Sequence, residues 1–213
     1  MHPNPIYRKT QREANIAFAA QRGFGVLSVN GEAGPLISHV PFIFTENNRR
    51  IEAHIMRSNP IARALANGAR PAIFAISGAD GYISPDWYEM ADQVPTWNYI
   101  AVHIRGDLSL KPDAALRPHL DRLAHHFETR LAPKPEWLVE KVEPEALARL
   151  MRMIVTVEME VGTVDGTWKL SQNKPEAARL SAAAALASDG FGHEIADLAA
   201  LMQTPPEPVA GTD

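Results

Sequence analysis

From Phe24 to Leu110 the chain is a succession of short β-branched and aromatic runs separated by turn residues, with one short helical stretch among them. Side chains that alternate with a period of two between apolar and polar fold as half-buried strands, and short connections between such runs make them antiparallel. The stretch "GFGVLSVNGEAGPLISHVPFIF" supplies the first two runs, on either side of a turn containing Asn30-Gly31; that dipeptide favours hairpins because both residues tolerate positive φ. In the second run Leu36, Ser38, Val40, Phe42 and Phe44 fall on one face, and Ile37, His39, Pro41 and Ile43 on the other. Pro41 has no N–H to give a ladder, which predicts an edge strand or a bulge there. Further strands are predicted over 51–56, 71–77, 81–84 and 98–110, enough to suggest a small barrel.

Helical spacing occupies the rest. A first amphipathic helix is predicted over 11–21. A short one follows the third strand, with Asn59 as N-cap, Pro60 at the first helical position and Gly68 just beyond its end. In the section at about 112–153, Leu116, Leu120, Leu123 and Phe127 recur at helical spacing from a start near Pro118. Leu147, Leu150 and Met151 do so again after the loop "APKPEW". A last strand, "MIVTVEMEVGTV", turns at Asp165-Gly166 into "TWKLSQNKPEAARL". An Ala-rich helix over 176–188 then stops at Asp189-Gly190, and a final helix spans 191–202. The expected organisation is a single domain over 1–203 of the α+β, mainly β class. Its helical insertion lies at about 112–153, its C-terminal helical pair at about 175–203, and a disordered tail over 204–213.

Composition excludes several functions. The 213 residues are 46% hydrophobic and 22% charged, which suffices for one sizeable core. A net charge of -4 offers none of the basic field on which nonspecific nucleic-acid affinity rests. Cysteine is absent, which removes disulfides, thiolate metal sites and cysteine nucleophiles. No apolar run approaches the ~20 residues of a membrane span and "MHPNPIYRKTQREA" lacks a signal-peptide core, so the expectation is a cytoplasmic protein. No G-x-S-x-G elbow, Walker loop or G-x-G-x-x-G occurs.

Three stretches concentrate polar chemistry. In "HIMRSNP", His54, Arg57, Ser58 and Asn59 gather at a strand-to-helix junction, where the unpaired amides of a first turn, a planar guanidinium and a hydroxyl suit a phosphate monoester; the bland alternative is a capped helix with solvated neighbours. In "WKLSQNK", Lys169, Ser171, Gln172 and Asn173 precede another helix and suit an anion or a polar heterocycle, or else Asn173 caps and Trp168 packs. In "YISPDWYEMADQVPTWNYIAVHIRG", Trp87, Tyr88, Trp97 and Tyr99 bracket a loop and either stack on a flat ligand or close the core, and His103 shares a face with Trp97 and Tyr99 while Asn98 does not. His119, His125 and His126 suggest a metal, but residues seven apart on a helix are too distant for one ion, so a solvated helix face is expected.

The order of "SHVPFIF", "HIMRSNP", "YISPDWY", "VPTWNYIAVHIRG" and "WKLSQNK" resembles the PaiB-like family, FMN-binding negative transcriptional regulators within the FMN-binding split-barrel superfamily. The resemblance covers nearly the whole chain. It implies an antiparallel, Greek-key-like split β-barrel with flanking helices, and a homodimer holding two FMN molecules in grooves between subunits. It also implies that His54, Arg57 and Asn59 hold the FMN phosphate, that Ser38, His39 and Val40 lie along the isoalloxazine, and that Lys169, Gln172 and Asn173 approach from the partner. Ser58 and Trp97 complete the candidate set. The oxidases of the superfamily carry a Lys at the helix start where this chain has Asn59 and relies on Arg57. Two functions follow as expectations: a negative regulator that uses FMN as ligand, or an FMN-dependent oxidoreductase of the flavin reductase or pyridoxamine-phosphate-oxidase kind with no direct DNA role. Against direct DNA binding stand the negative charge and a last helix, "HEIADLAALM", with no Arg or Lys.

Overall fold

β1 (Phe24–Gly31) and β2 (Gly34–Thr45) form the expected hairpin in a computed structural model that describes residues 2–208. The register ends on Gly31↔Gly34, so the turn is Glu32-Ala33 and Asn30-Gly31 is the last pair of β1 rather than the apex. Gly34 explains the shift: its φ of +126° is a conformation that only glycine takes without strain.

The chain divides into two compact units. The first, Ala20–Ala75 with Ile104–Thr163, holds β1, β2, β3 (Arg50–Met56), the start of β4 (Arg70–Ile83), the end of β5 (Thr96–Leu110) and β6 (Ile154–Glu160). Their order is β5-β6-β3-β2-β1-β4, and β1–β2, β1–β4, β2–β3, β3–β6 and β5–β6 pair antiparallel. Leu27, Phe42, Ile51, Phe74, Leu108 and Met159 are fully buried on one face, with the Phe42 and Phe74 rings 5.2 Å apart. β2 is therefore an interior strand, which corrects the edge expectation raised by Pro41. The Phe42 amide donates to Gly23 O at 2.9 Å on the β1 side. Successive amides point to opposite edges, so the missing donor of Pro41 falls on the β3 side, and the β2–β3 ladder runs only from Phe42 to Thr45.

α2 (Pro60–Ala64) begins as predicted, with Asn59 Oδ1 accepting the Ile61 amide at 2.9 Å, and ends in a 3₁₀ turn before Gly68 at φ +119°. The insertion forms α3 (Leu116–Glu128) and α4 (Pro144–Met151). Between them opens an apolar pocket of about 580 Å³, bordered by Leu120, Phe127, Trp137, Leu147 and Leu150, which helical spacing alone does not foreshadow.

The second unit comprises Met1–Ala19, Ile76–His103 and Val164–Asp213. It carries most of α1 (Arg12–Arg22), the end of β4, the start of β5, β7 (Val164–Lys169), α5 (Glu176–Asp189), β8 (Gly192–His193) and α6 (Ile195–Gln203). Its core joins Ile83, Tyr88, Trp168, Leu170, Leu186 and Met202. The strands expected over 71–77 and 81–84 are one strand, β4. Gly78, at the expected break, is instead a close approach: a Cβ there would lie 2.6 Å from Phe18 Cζ. Gly166 likewise lies inside β7 and makes no turn; a Cβ on it would meet Asn15 Oδ1 at 1.9 Å. α6 starts at Ile195, not at 191, because Gly192 and His193 pair with Gly81 and Asp80 of β4. Of the expected disordered tail, Pro208 bridges Thr10, and residues 209–213 lie outside the described residues.

Asn15 ties this unit together. Buried to 2% exposure, it accepts the Trp168 indole N–H at 2.8 Å and donates to the carbonyls of Thr10 and Gln11 at 3.1 Å each. Asn15→Leu strands the Trp168 donor and the Thr10 carbonyl, while Gln11 O keeps the backbone amide of residue 15 at 3.1 Å, so an expected loss of about 2–4 kcal/mol should appear as a lower urea midpoint. An unchanged midpoint would mean that the side chain fills space without holding Trp168.

Candidate functional site

The junction after β3 is real, but its cation points away from it. Arg57 donates through Nε to Arg152 O at 3.2 Å, and through Nη2 to Ile154 O at 3.4 Å and to Asp113 Oδ1 at 3.2 Å. Arg152 is the C-cap of α4, so the guanidinium serves the negative end of that helix. Ser58 is exposed and its carbonyl accepts from Arg63 Nη1 at 2.7 Å. Asn59 uses both ends of its amide, Oδ1 on the Ile61 amide and Nδ2 on Ser38 Oγ at 3.1 Å.

His54 belongs to a polar chain that the sequence did not reveal. Its Nδ1 lies 3.2 Å from His119 Nε2, His119 Nδ1 lies 3.3 Å from Glu52 Oε2, and Arg122 Nη2 donates to that same oxygen at 2.6 Å. His119 is fully buried, which corrects the solvated helix face expected for it; among the described residues no cluster suited to a metal occurs. His125 does lie on the exposed side of α3, paired with Glu136 at 2.8 Å. Burial, then the neighbouring His54, lowers the His119 pKa to about 4 against the opposing pull of Glu52; burial also lowers that of His54. Burial raises the pKa of Glu52, but hydrogen bonding and charge from Arg122, with His119 behind them, outweigh it and keep the carboxyl ionised. With both rings neutral, the tautomers follow in sequence. The Glu52 carboxylate can only accept, so His119 carries its proton on Nδ1, its Nε2 accepts, and His54 donates from Nδ1. His54 then offers a lone pair on Nε2, the wrong polarity for a phosphate oxygen. Glu52 and His54 are two apart on a strand, and that same-face pair was the one signal of the chain in the sequence.

The outer face of this sheet is more open near β2. The registers Phe24↔Pro41 and Val26↔His39 put Phe24, His39 and Ile37 on one face, which the Ile43↔Glu52 register extends to Met56. His39 is exposed there among Phe24, Ile37 and Met56, themselves 44–60% exposed. Ser38 and Val40 face the other way, Val40 into the core. Along Ser38–Val40 the backbone pairs with β1 through one edge, while the β3 ladder has already stopped at Phe42.

In the second unit, the "WKLSQNK" residues part company. Gln172 folds back on its own backbone, accepting the Leu170 amide at 2.7 Å and donating to Trp168 O at 2.6 Å. Asn173 is exposed and caps nothing, since Pro175 stands at the N-cap. Lys169 and Lys174 line a pocket of about 170 Å³ with Tyr7, Tyr88, Asn98 and Ser171. Ser171 sits at φ +61°, in the left-handed region that non-glycine residues rarely occupy, and bonds Tyr88 Oη at 2.7 Å and Asn98 Nδ2 at 2.8 Å. Burial, then the charge of Lys174, lowers the pKa of Lys169. The aromatic residues do not converge. Tyr88 is buried, whereas Trp97 is exposed and meets Tyr82 and Phe191 edge-on at 6.2 and 5.7 Å. Tyr7 and Asn98 were missed as pocket residues because they are remote from Lys169 in sequence, whereas Lys174 stood in the same stretch and was passed over.

Comparison with known proteins gives this geometry a setting. Residues 1–163 match the family described as "Putative FMN-binding domain". The protease synthase and sporulation protein PAI 2 of Bacillus subtilis is 27% identical over 178 residues, covering 83% of this chain and 84% of that protein. Two solved structures share the fold at low identity. The FAD and heme binding protein of Mycobacterium smegmatis has a TM-score of 0.57 and 16% identity, over 87% of this chain and 82% of that one. The flavocytochrome Anf3 of Azotobacter vinelandii has a TM-score of 0.56 and 12% identity, over 79% and 72%. With three quarters of its length matched and this antiparallel architecture, the chain belongs to the FMN-binding domain family and has the fold of the flavin-binding split barrels.

Proposed function

We propose that the chain binds FMN along β2 and acts, as a homodimer, as a flavin-dependent negative regulator of transcription. One observation carries the reading: among the described residues, the strand segment Ser38–Val40 has no strand partner on its β3 side, next to a face formed by Phe24, Ile37, His39 and Met56. An unpaired strand edge presents alternating N–H and C=O groups, which suit the pyrimidine edge of a flavin, and the apolar neighbours suit its flat ring. In this reading the backbone of Ser38, His39 and Val40 orients the ring and Asn59 steadies Ser38, while Phe24 and Met56 exclude water. Bound FMN supplies reversible electron transfer through its ring. Arg57 and His54 already have the partners described above, and Ser58 is engaged through its carbonyl, so in this reading the phosphate calls for another cationic anchor. Lys169, Gln172, Asn173 and Trp97 belong in this reading to the part that a partner subunit brings. Regulation is proposed to run through the ligand or a further protein: α6 carries no basic residue and turns Leu198, Ala199 and Met202 into the core.

Purified protein is expected to quench FMN fluorescence, and His39→Ala, which keeps the backbone groups but removes the imidazole from the face against the ring, to weaken binding about tenfold. Arg57→Ala is expected to leave affinity within about twofold. Unchanged binding in His39→Ala together with a large loss in Arg57→Ala would move the flavin from β2 to the helix junction.

A second reading, an FMN-dependent oxidoreductase, draws support from solved structures of this fold whose names describe a flavin and heme protein and a flavocytochrome. Anaerobic NADH or NADPH bleaching the bound flavin, with no gel retardation of genomic fragments at stated salt, favours the enzyme; retardation that depends on FMN, without bleaching, favours the regulator.

A further inference from the structure

The second unit contains a cationic pocket built by Lys169 and Lys174; the flavin reading uses Lys169 as a contact from the partner but gives the pocket itself, and Lys174, no ligand. Lys169 comes from the end of β7 and Lys174 from the loop after it. Their ammonium groups are held by neutral oxygens, Thr96 Oγ1 for the first and Gln93 Oε1 for the second. They also lie over aromatic rings, Lys169 5.9 Å from the centre of Tyr7 and Lys174 5.2 Å from that of Tyr88. Among the described residues no carboxylate lines the pocket or pairs with either lysine. Two positive charges in one small, part-buried space repel each other and lose hydration. That arrangement is stable when an anion enters.

We propose that this pocket is a seat for a phosphate group, held by Lys169 and Lys174 and oriented by Tyr7, Ser171 and Asn98. The charge count selects the ligand. Two ammonium groups match the two negative charges of a phosphate monoester or of free phosphate, whereas a carboxylate balances only one. Burial, then the neighbouring Tyr88, keeps the Tyr7 phenol protonated, so it can donate. Asn98, fully buried, lines the pocket and leaves Oδ1 without a partner among the described residues. Free hydrogenphosphate carries both charges and still has an O–H that can satisfy that oxygen, whereas sulfate and a doubly ionised monoester carry both charges but no O–H at neutral pH. Size agrees: about 170 Å³ is well below the roughly 300–1,000 Å³ of pockets that enclose whole ligands. The pocket takes a head group and leaves any ring system outside. The proposal does not rest on the flavin reading.

The test uses the full chain freed of flavin and titrated calorimetrically with inorganic phosphate at fixed ionic strength. Saturable binding is expected, with sulfate at least about tenfold weaker. Lys174→Met, which keeps the stem over Tyr88, is expected to weaken phosphate about 10- to 100-fold, and Lys174→Arg to restore most of it. Thermal melts without phosphate show whether each variant is folded. No phosphate binding by the wild type, equal binding of sulfate, or full affinity in a folded Lys174→Met overturns the assignment, even if FMN binds normally. Competition then identifies the source of the group: phosphate that displaces FMN but leaves riboflavin bound makes this the flavin's own phosphate seat, and phosphate that displaces neither makes it the seat of a separate phosphorylated ligand.

Discussion

Gly106→Ala will destabilise the first unit by about 3 kcal/mol or more, an overpacking cost at the upper end of what a single added methyl incurs. A Cβ on Gly106 would stand 1.8 Å from Glu160 O, and the obstacle is a backbone atom, not a side chain free to turn. The carbonyl cannot retreat cheaply. The next residue, Val161, donates its amide to Arg49 O at 2.8 Å, and Gly162 donates to Arg105 O at 2.9 Å, while the Arg105 amide donates to Thr163 O at 2.9 Å. Relief therefore breaks at least one of these bonds or bends β5 where it pairs with β6 through Leu108↔Met159. A urea titration reads the effect as a lower midpoint at unchanged slope. A variant as stable as the wild type would show that the two strands do not approach so closely.

Acid will destabilise the protein through His119. Its imidazole is neutral and buried in the folded chain, with a pKa lowered to about 4 from an ordinary 6.5. The unfolded chain takes up a proton below pH 6.5 that the folded chain refuses until about pH 4, so the stabilisation is complete above 6.5 and is lost as pH falls between those values. The loss approaches about 3 kcal/mol. His54, also lowered by burial, acts in the same direction, and Glu52, whose carboxylate is held ionised by Arg122, extends the loss to lower pH. Denaturant midpoints measured at pH 7 and near pH 4 should differ accordingly, and His119→Gln, which cannot titrate, should flatten the profile even if it lowers stability at pH 7. A wild type equally stable at both pH values would mean that the ring is solvated or charged.

These expectations show where local sequence sufficed. The Asn59-Pro60 start of α2, the alternation of β2 and the split of its faces were legible because caps and strand periods depend on neighbours a few residues away. The hairpin apex was misplaced because Asn30-Gly31 and the segment around Gly34 are both good turns, and the register that chose between them came from pairing along the whole of β1 and β2. β4 was divided at Gly78 because a glycine that breaks a strand and one that admits Phe18 look alike in sequence.

The candidate site followed the same rule. Ser38, His39 and Val40 could be ordered by parity, and Lys169 could be recognised as an unusual cation beside a hydroxyl. Nothing local said that Arg57 would turn to the end of α4, 95 residues away in the chain, or that His119 would leave the helix surface for Glu52 and His54. Nor could it say that Tyr7 and Tyr88 would close a pocket over Lys169 and Lys174. The amino-acid sequence by itself determined where most strands run, the Asn59 cap and the family, because these rest on the short-range geometry of the backbone and on side-chain spacing. Only the tertiary structure decided which charges find partners and which stay bare, because a long polar side chain reaches whatever the fold brings within about 3 Å, the length of a hydrogen bond.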